Sequence, residues 1–256
     1  MSIYFMYRKR YQNEKCLKDA YQGRKLNTYQ IAKECNVGQT TIWKWLHKLH
    51  IPVRSCSEAF HLYKANHCNL SQKAIEWING ELLGDGCIHQ GSPYSASFKY
   101  SSKYFEYAQY VSDMLESFGI KQSGKIGIQV HKKVNYYFYQ SRYYVELLLS
   151  RKKWYPNGKK IIPKNIELTS IICRQWFIGD GSLVHQNNQK PYIRFATFGF
   201  SISDINLLVK QLIELGFKSN KEPNYNRIHI SSYSTKDFLS YIGNSPVRCY
   251  DYKFAY

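Results

Sequence analysis

The chain has 256 residues and carries 36 Lys+Arg against 18 Asp+Glu, a formal net charge of +18. This cationic excess predicts a polyanionic partner, because clustered cations bind phosphate groups strongly. No segment reaches the ~18 uninterrupted apolar residues that a membrane-spanning helix needs, so no membrane partner is expected. The seven cysteines are odd in number and contain no CxxC pair. They predict an intracellular, cytoplasmic protein with reduced thiols rather than a disulfide framework.

The positive charge is concentrated in the first third of the chain. Residues 1–75 hold 13 of the Lys+Arg residues and 4 of the Asp+Glu residues, which is half of the net charge. This density indicates a separate binding module at the amino-terminal end.

Residues 1–52 carry the pattern of a helix-turn-helix module. Asn13 to Gln22 is predicted as a first short helix. The stretch NTYQIAKECNVGQTTIWKWLHKLHI then predicts two short helices separated by Asn36-Val37-Gly38, since Asn and Gly tolerate the left-handed conformation of a tight turn. The alternative is a plain helical hairpin with a solvated face. In the DNA-binding interpretation, the second helix exposes a polar and cationic face suited to a major groove, formed by Gln39, Thr40, Thr41, Lys44, His47 and Lys48.

Residues 53–70 are predicted as a connector that contains one helical stretch. Four possible metal ligands occur in it, but their spacing matches no common zinc pattern. The sequence therefore leaves open whether a metal binds Cys56, His61, His67 and Cys68.

Residues 71–163 and 164–256 form the two halves of an internal repeat. Each half is predicted to have the element order αββαββα and to open with a helix that ends in Gly-Asp-Gly. The repeat places Asp85 and Asp180 at equivalent positions, 95 residues apart. Because each half is too small to bury a sheet alone, we expect an α+β fold in which two pseudo-symmetric halves pack on each other.

The two aspartates are the main candidates for chemistry. Gly80 and Gly84 cost roughly 1 kcal/mol each within a helix, which indicates that a second helix approaches closely there. Such a crossing would bring Asp85 and Asp180 together, and a divalent cation would relieve their repulsion. Two carboxylates that face phosphates predict metal-assisted phosphodiester cleavage, with Mg²⁺ as the favoured ion. The alternative is that both are only turn residues at helix ends.

The motifs INGELLGDG and CRQWFIGDG resemble the two motifs of the LAGLIDADG homing endonucleases. Over about residues 71–256 the chain resembles the double-motif, monomeric members of that family, and WYPNGKKIIPKN and IGNSPVRCYDYKF add to the likeness. The resemblance implies antiparallel sheets that form a saddle over DNA. It also implies catalytic roles for Asp85, Asp180, Lys160 and Lys253, and a metal site at Asp85, Asp180, Gly84 and Gly179.

The resemblance further implies a site-specific double-strand DNA endonuclease that uses Mg²⁺, with Mn²⁺ as a substitute. The expected partner is double-stranded DNA with a long asymmetric target, contacted by Lys99 and Arg194 among others. Two alternatives stay open: a non-cleaving, DNA-binding transcription regulator, and an RNA-binding maturase with intron RNA as its partner. The target sequence, the encoding element and an origin in an organelle are not determined by the sequence.

The second motif departs from the family pattern. It has Arg174 and Gln175 where small residues are usual. We therefore expect packing of this helix to depend on Trp176 and Phe177.

Overall fold

The computed structural model describes residues 9–256. They divide into two compact units, one ending at Lys64 and the other comprising Ala65–Tyr256. The first eight residues of the predicted module 1–52 lie outside the described residues. None of the helices within residues 9–256 combines the length and apolarity required to cross a membrane.

The amino-terminal unit is helical. After a 3₁₀ turn at Arg10–Gln12, its helices are α1 (Glu14–Lys18), which continues as a π-helical turn over Asp19–Gly23, α2 (Thr28–Cys35), α3 (Gln39–Lys48) and α4 (Cys56–Lys64). The helices up to α3, together with Ile51, form one small core, to which α4 contributes no buried residue. This core consists of Leu17, Ala20, Tyr21, Ile31, Ala32, Cys35, Ile42, Leu46 and Ile51.

The turn between α2 and α3 has the predicted local chemistry. Helix α2 starts at a capping box made by Asn27 and Gln30, which satisfies backbone N–H groups at its first turn. It ends at Asn36, whose φ of 53° and ψ of 50° place it in the left-handed region. Gly38 then starts α3. The two short helices and their turn therefore lie where the sequence predicts them.

The second unit contains the two predicted αββαββα halves. The first half consists of α5 (Gln72–Leu83), β1 (Cys87–Ser92), β2 (Ser95–Ser102), α6 (Phe105–Ser117), β3 (Gly127–His131), β4 (Val134–Gln140) and α7 (Val145–Trp154). The second half consists of α8 (Ser170–Asp180), β5 (Gly181–Val184), β6 (Tyr192–Ala196), α9 (Ile202–Glu214), β7 (Ser219–Lys221), β8 (Arg227–Ile230) and α10 (Ser232–Ile242), followed by a 3₁₀ turn at Arg248–Lys253. The predicted α+β fold is confirmed.

Each half forms one antiparallel four-stranded sheet. The strand orders are β1-β2-β4-β3 and β5-β6-β8-β7, so the two halves share one topology. Their registers also correspond, because Cys87 pairs with Lys99 in the first sheet and Ser182 pairs with Arg194 in the second. Equivalent positions in the two halves therefore differ by 95 residues in the first two strands.

The second sheet has one buried face and one open face. In the second sheet, Ile193, Phe195, Ile228 and Ile230 are buried against the helices. Side chains alternate between faces along a strand. The intervening residues Arg194, Arg227 and His229 consequently lie on the open face, which is the polar surface of this half.

Candidate active site at the crossing of the two motif helices

Helices α5 and α8 pack side by side in the same direction. At their amino-terminal ends the Thr169 hydroxyl donates to the Glu76 carboxylate at 3.0 Å. At their carboxyl-terminal ends the backbones of Gly84 and Gly179 meet. The parallel arrangement brings the ends of both motifs, and the first strand of each sheet, to one place.

The backbones of Gly84 and Gly179 lie so close together that a side chain at either position would be tightly packed. A Cβ atom on Gly84 would lie 3.2 Å from the Cα of Gly179, and one on Gly179 would lie 3.0 Å from the Cα of Gly84. Both distances are shorter than an ordinary carbon–carbon contact of ~3.5–4 Å. The glycines therefore allow Asp85 and Asp180, the next residue in each motif, to approach each other.

A second close contact lies one helical turn earlier. A Cβ atom on Gly80 would lie 2.8 Å from both the Cβ of Gln175 and the carbonyl oxygen of Ile172. Gln175 is buried, and its side-chain amide donates to the Tyr110 hydroxyl at 3.0 Å. The larger residue of the second motif thus occupies the space that Gly80 leaves in the first.

Trp176 and Phe177 do pack helix α8, as expected, but within their own half and not at the crossing. The Trp176 ring stacks on Phe195 of the second sheet with a centroid distance of 3.9 Å. Phe177 also packs against rings of its own half, Phe238 and Phe254. Successive helix residues point in different directions, so these two rings fill the core of the second half while Gln175 faces α5.

Each half supplies one lysine to the site. The ammonium of Lys160 donates to the carbonyl oxygens of Gly84 and Gly86, at 3.1 and 3.0 Å. That of Lys253 donates to the carbonyl oxygens of Ile178 and Gly179. Both lysines therefore bind backbone carbonyls at the end of the motif helix in their own half, where the helix dipole favours a cation.

The four charged groups influence one another strongly. Burial, followed by the neighbouring charge of Asp85, raises the pKa of Asp180 to about 7, although Lys160 and Lys253 oppose this rise. Burial also raises the pKa of Asp85, against the effect of the same two lysines. Burial lowers the pKa of Lys160, and lowers that of Lys253 to about 8, while both carboxylates oppose the decrease. The structure thus brings the four predicted catalytic side chains into one electrostatic cluster.

A third carboxyl group adjoins this cluster, and sequence reasoning missed it. Glu81 is 2% exposed and accepts a hydrogen bond of 2.6 Å from the Tyr107 hydroxyl. Burial, followed by the charge of Asp85, raises its pKa to about 8, so it is mostly protonated at neutral pH. The 95-residue offset makes Glu81 the equivalent of Trp176 in the second half. A comparison of the two motifs at this position would have shown that only the first half has a carboxyl group there.

The donor atoms suit a hard divalent cation. Asp85 and Asp180 offer carboxylate oxygens, and their mutual repulsion is relieved when a cation binds between them. The Gly84 and Gly179 carbonyl oxygens already accept hydrogen bonds from the lysines. Because a carbonyl oxygen has two lone pairs, each still has one that could bind a cation. Within residues 9–256 no group of three or more His, Cys, Asp or Glu side chains is arranged to hold a metal ion. A cation here would consequently need phosphate oxygens and water to complete its shell.

The other predicted binding residues lie outside this cluster. Arg194, on the open face of the second sheet, forms an ion pair with Glu222 at 2.7 Å and donates to the Tyr192 hydroxyl at 2.7 Å. Lys99 is half-buried on β2, directly opposite Gln140 on the neighbouring strand.

Most of the predicted polar face of α3 is accessible. Thr40, Lys44, His47 and Lys48 are exposed, and Thr41 is partly exposed. Gln39 is partly buried and donates to the Thr28 hydroxyl at 3.0 Å. The same face carries Trp43, which is 48% exposed and packs edge-on against His47. This ring was not among the residues predicted to contact DNA.

The chain belongs to the LAGLIDADG DNA endonuclease family, whose model matches residues 75–238. The chain is 27% identical over 203 residues to the uncharacterized protein MJ1098 of Methanocaldococcus jannaschii, covering 73% of this chain and 78% of that protein. Its fold is similar to that of the homing endonuclease I-WcaI, solved bound to its DNA recognition sequence. The TM-score is 0.66 at 18% identity, over 81% of this chain and 96% of the other.

Asp180→Asn is expected to stabilise the protein at pH 8 and to have little effect near pH 4. The pKa of Asp180 is raised from 3.8 to about 7. Between these values the folded chain binds more protons than the unfolded chain, so stability falls as the pH rises through this window. The gain at pH 8 should be roughly 1 to 3 kcal/mol, since one pKa unit is about 1.4 kcal/mol and the carboxylate keeps some hydration.

Thermal unfolding at both pH values would measure this difference. Mg²⁺ at pH 8 should raise the melting temperature of the wild type more than that of the variant, because the cation offsets the carboxylate repulsion. Asp113→Asn, an exposed position on α6, is the matched control. An equal response of wild type and Asp180→Asn to Mg²⁺ would contradict a cation site between the two aspartates.

Proposed function

We propose that this protein is a site-specific DNA endonuclease that cuts both strands of a long, asymmetric duplex. The observation that carries the proposal is the cluster at the helix crossing. Asp85, Asp180, Lys160 and Lys253 come together where the first strands of two open-faced sheets begin. Family membership supports a DNA endonuclease, and the excess of cations supports a polyanionic substrate.

Asp85 and Asp180 would hold divalent metal, Mg²⁺ or Mn²⁺, together with backbone oxygens of Gly84 and Gly179. When bound, such an ion supplies Lewis-acid stabilisation of the phosphate and lowers the pKa of a water molecule. The rigid crossing of α5 and α8 would hold the two carboxylates in position for this ion. Because the site lies on the pseudo-symmetry axis of the two halves, it can serve both DNA strands.

Lys160 and Lys253 would each stabilise the charge that develops on one scissile phosphate. An ammonium group has three N–H donors, and two of them are used on backbone carbonyls in each half. One donor per lysine remains for a phosphate oxygen. Since both ammonium groups are held by backbone atoms, little reorganisation is needed in the transition state.

The amino-terminal residues 1–52 would add a second DNA contact through α3, with 53–70 as the connector to the halves 71–163 and 164–256. Lys44 and Lys48 provide phosphate contacts, while the other exposed residues of α3 lie at positions that can enter a major groove. The protein would act as a monomer, because one chain already contains both motifs.

Asp85→Asn and Asp180→Asn should each abolish double-strand cleavage while DNA affinity changes less than about threefold. Affinity comes mainly from many cation–phosphate contacts, whereas each carboxylate is needed for the metal. The measurement is a selection of cleaved duplexes from a DNA library with Mg²⁺, followed by binding assays on the selected site. Asp113→Asn should cleave like the wild type. If the wild type binds one site tightly and never cuts it, the protein is a non-cleaving regulator instead.

Lys160→Ala and Lys253→Ala should each slow cleavage by roughly 10²- to 10³-fold, the usual effect of losing one transition-state donor. Each variant should nick one strand preferentially, because each lysine serves its own half. Strand-specific end labelling during a time course would measure the rates separately. Lys159→Ala, the exposed neighbour, should leave both rates unchanged. Equal slowing on both strands would argue against one lysine per strand.

Lys44→Ala combined with Lys48→Ala should lower the slope of log affinity against log salt by roughly 2 units, because two phosphates would no longer be neutralised by the protein. The DNase footprint should also become shorter at one end. Lys15→Ala combined with Lys18→Ala on α1 removes the same charge away from α3 and should change the slope less. A footprint and slope that stay unchanged would indicate that the helical unit does not contact DNA.

A further inference from the structure

Arg227 lies between two exposed aromatic rings on the open face of the second sheet. Its guanidinium carbon is 5.2 Å from the ring centroid of Phe198 and 4.8 Å from that of Tyr225. The two rings are 59% and 55% exposed. These cation–π contacts anchor the guanidinium, and Arg227 is partly exposed.

The two loops that carry these rings are fixed to each other. Thr197 is buried, and both its hydroxyl and its backbone N–H donate to the Asn226 carbonyl, at 2.7 and 3.1 Å. The Glu222 N–H donates to the Arg227 carbonyl at 2.9 Å. The rings therefore restrict the arginine before any ligand binds, which reduces the entropy cost of binding.

Arg227 and Arg194, two arginines of the same face, differ in their ion-pair partners. Arg194 directs its donors at Glu222 and the Tyr192 hydroxyl. In the described part of the chain, no carboxylate lies within ion-pair distance of the Arg227 guanidinium. Its N–H donors are consequently available to a ligand that meets the open face.

A guanidinium that is anchored by two rings and has no carboxylate partner among residues 9–256 is suited to the edge of guanine in the major groove. The O6 and N7 atoms of guanine accept two parallel hydrogen bonds from one arginine, and no other base offers that pair. A lysine at the same position would keep the charge but lose both the fork and the stacking.

The first sheet has no counterpart of this arginine. Arg227 is paired with Ala196, and the equivalent pair in the first half is Ser101 with Phe138. An apolar ring thus occupies the position of the guanidinium. The two sheets would accordingly read different bases at equivalent distances from the cleavage site.

We propose that Arg227, held between Phe198 and Tyr225, reads a guanine in the half-site bound by the second sheet. This inference rests on the proposed function, since it assigns a specificity-determining residue to the same DNA complex. Phe198 and Tyr225 are positioning residues, because they act through the arginine.

The test is selection of bound duplexes from a random-sequence DNA library by the full-length protein, without divalent metal so that no DNA is cut. The wild type should enrich a site with guanine at one position of a single half-site. Arg227→Lys should reduce the preference for that guanine at least tenfold, while the remaining positions and the salt dependence stay the same. Phe198→Leu combined with Tyr225→Leu should reduce the preference for that guanine several-fold.

Arg151→Lys is the matched control, because Arg151 also stacks on a ring, Tyr155 at 3.9 Å, but lies on a helix. It should select the wild-type site. If Arg227→Lys selects the unchanged guanine, or only lowers the melting temperature, Arg227 braces the loops and the inference is wrong while the proposed function stands. If the wild type enriches no site, the proposed function fails and this inference fails with it.

Discussion

Gly84 and Gly179 contact each other through their α-carbons, and the arrangement of the second unit depends on that contact. A Cβ atom at either position would lie only 3.0 to 3.2 Å from the facing α-carbon, so α5 and α8 would have to shift by a few tenths of an ångström to accept it. Two glycines at the ends of helices cost backbone entropy, and the gain is a crossing that holds two carboxylates, one from each half, at a single site.

The charges at this crossing are only partly balanced. Two lysines face two aspartates, yet burial still raises the pKa of both carboxyl groups and lowers the pKa of both ammonium groups. The folded chain therefore stores an electrostatic cost at the position where a phosphate and a cation would bring new charges. Strain of this kind is typical of functional sites, where a ligand relieves what the protein alone leaves uncompensated.

The two halves share one topology but differ at positions that matter for chemistry and recognition. Glu81 occupies in the first half the place of Trp176 in the second, so a protonated carboxyl adjoins Asp85 and has no counterpart beside Asp180. Arg227 likewise stands where the first sheet has Phe138. The backbone symmetry suits a substrate with two strands, and the side-chain differences suit a target whose two halves are unlike.

The sequence by itself determined the element order, the duplication and the equivalence of Asp85 and Asp180, because glycine spacing and alternating patterns are local signals that repeat. The family motifs also indicated Lys160 and Lys253. Only the tertiary structure decided which side chains fill the crossing, since Gln175 rather than Trp176 faces Gly80. The burial of Glu81, the engagement of Arg194 by Glu222 and the position of Arg227 between two rings depend on contacts between residues distant in the chain. A periodic pattern gives the face of a helix or strand, but not the partner that the rest of the chain brings to that face.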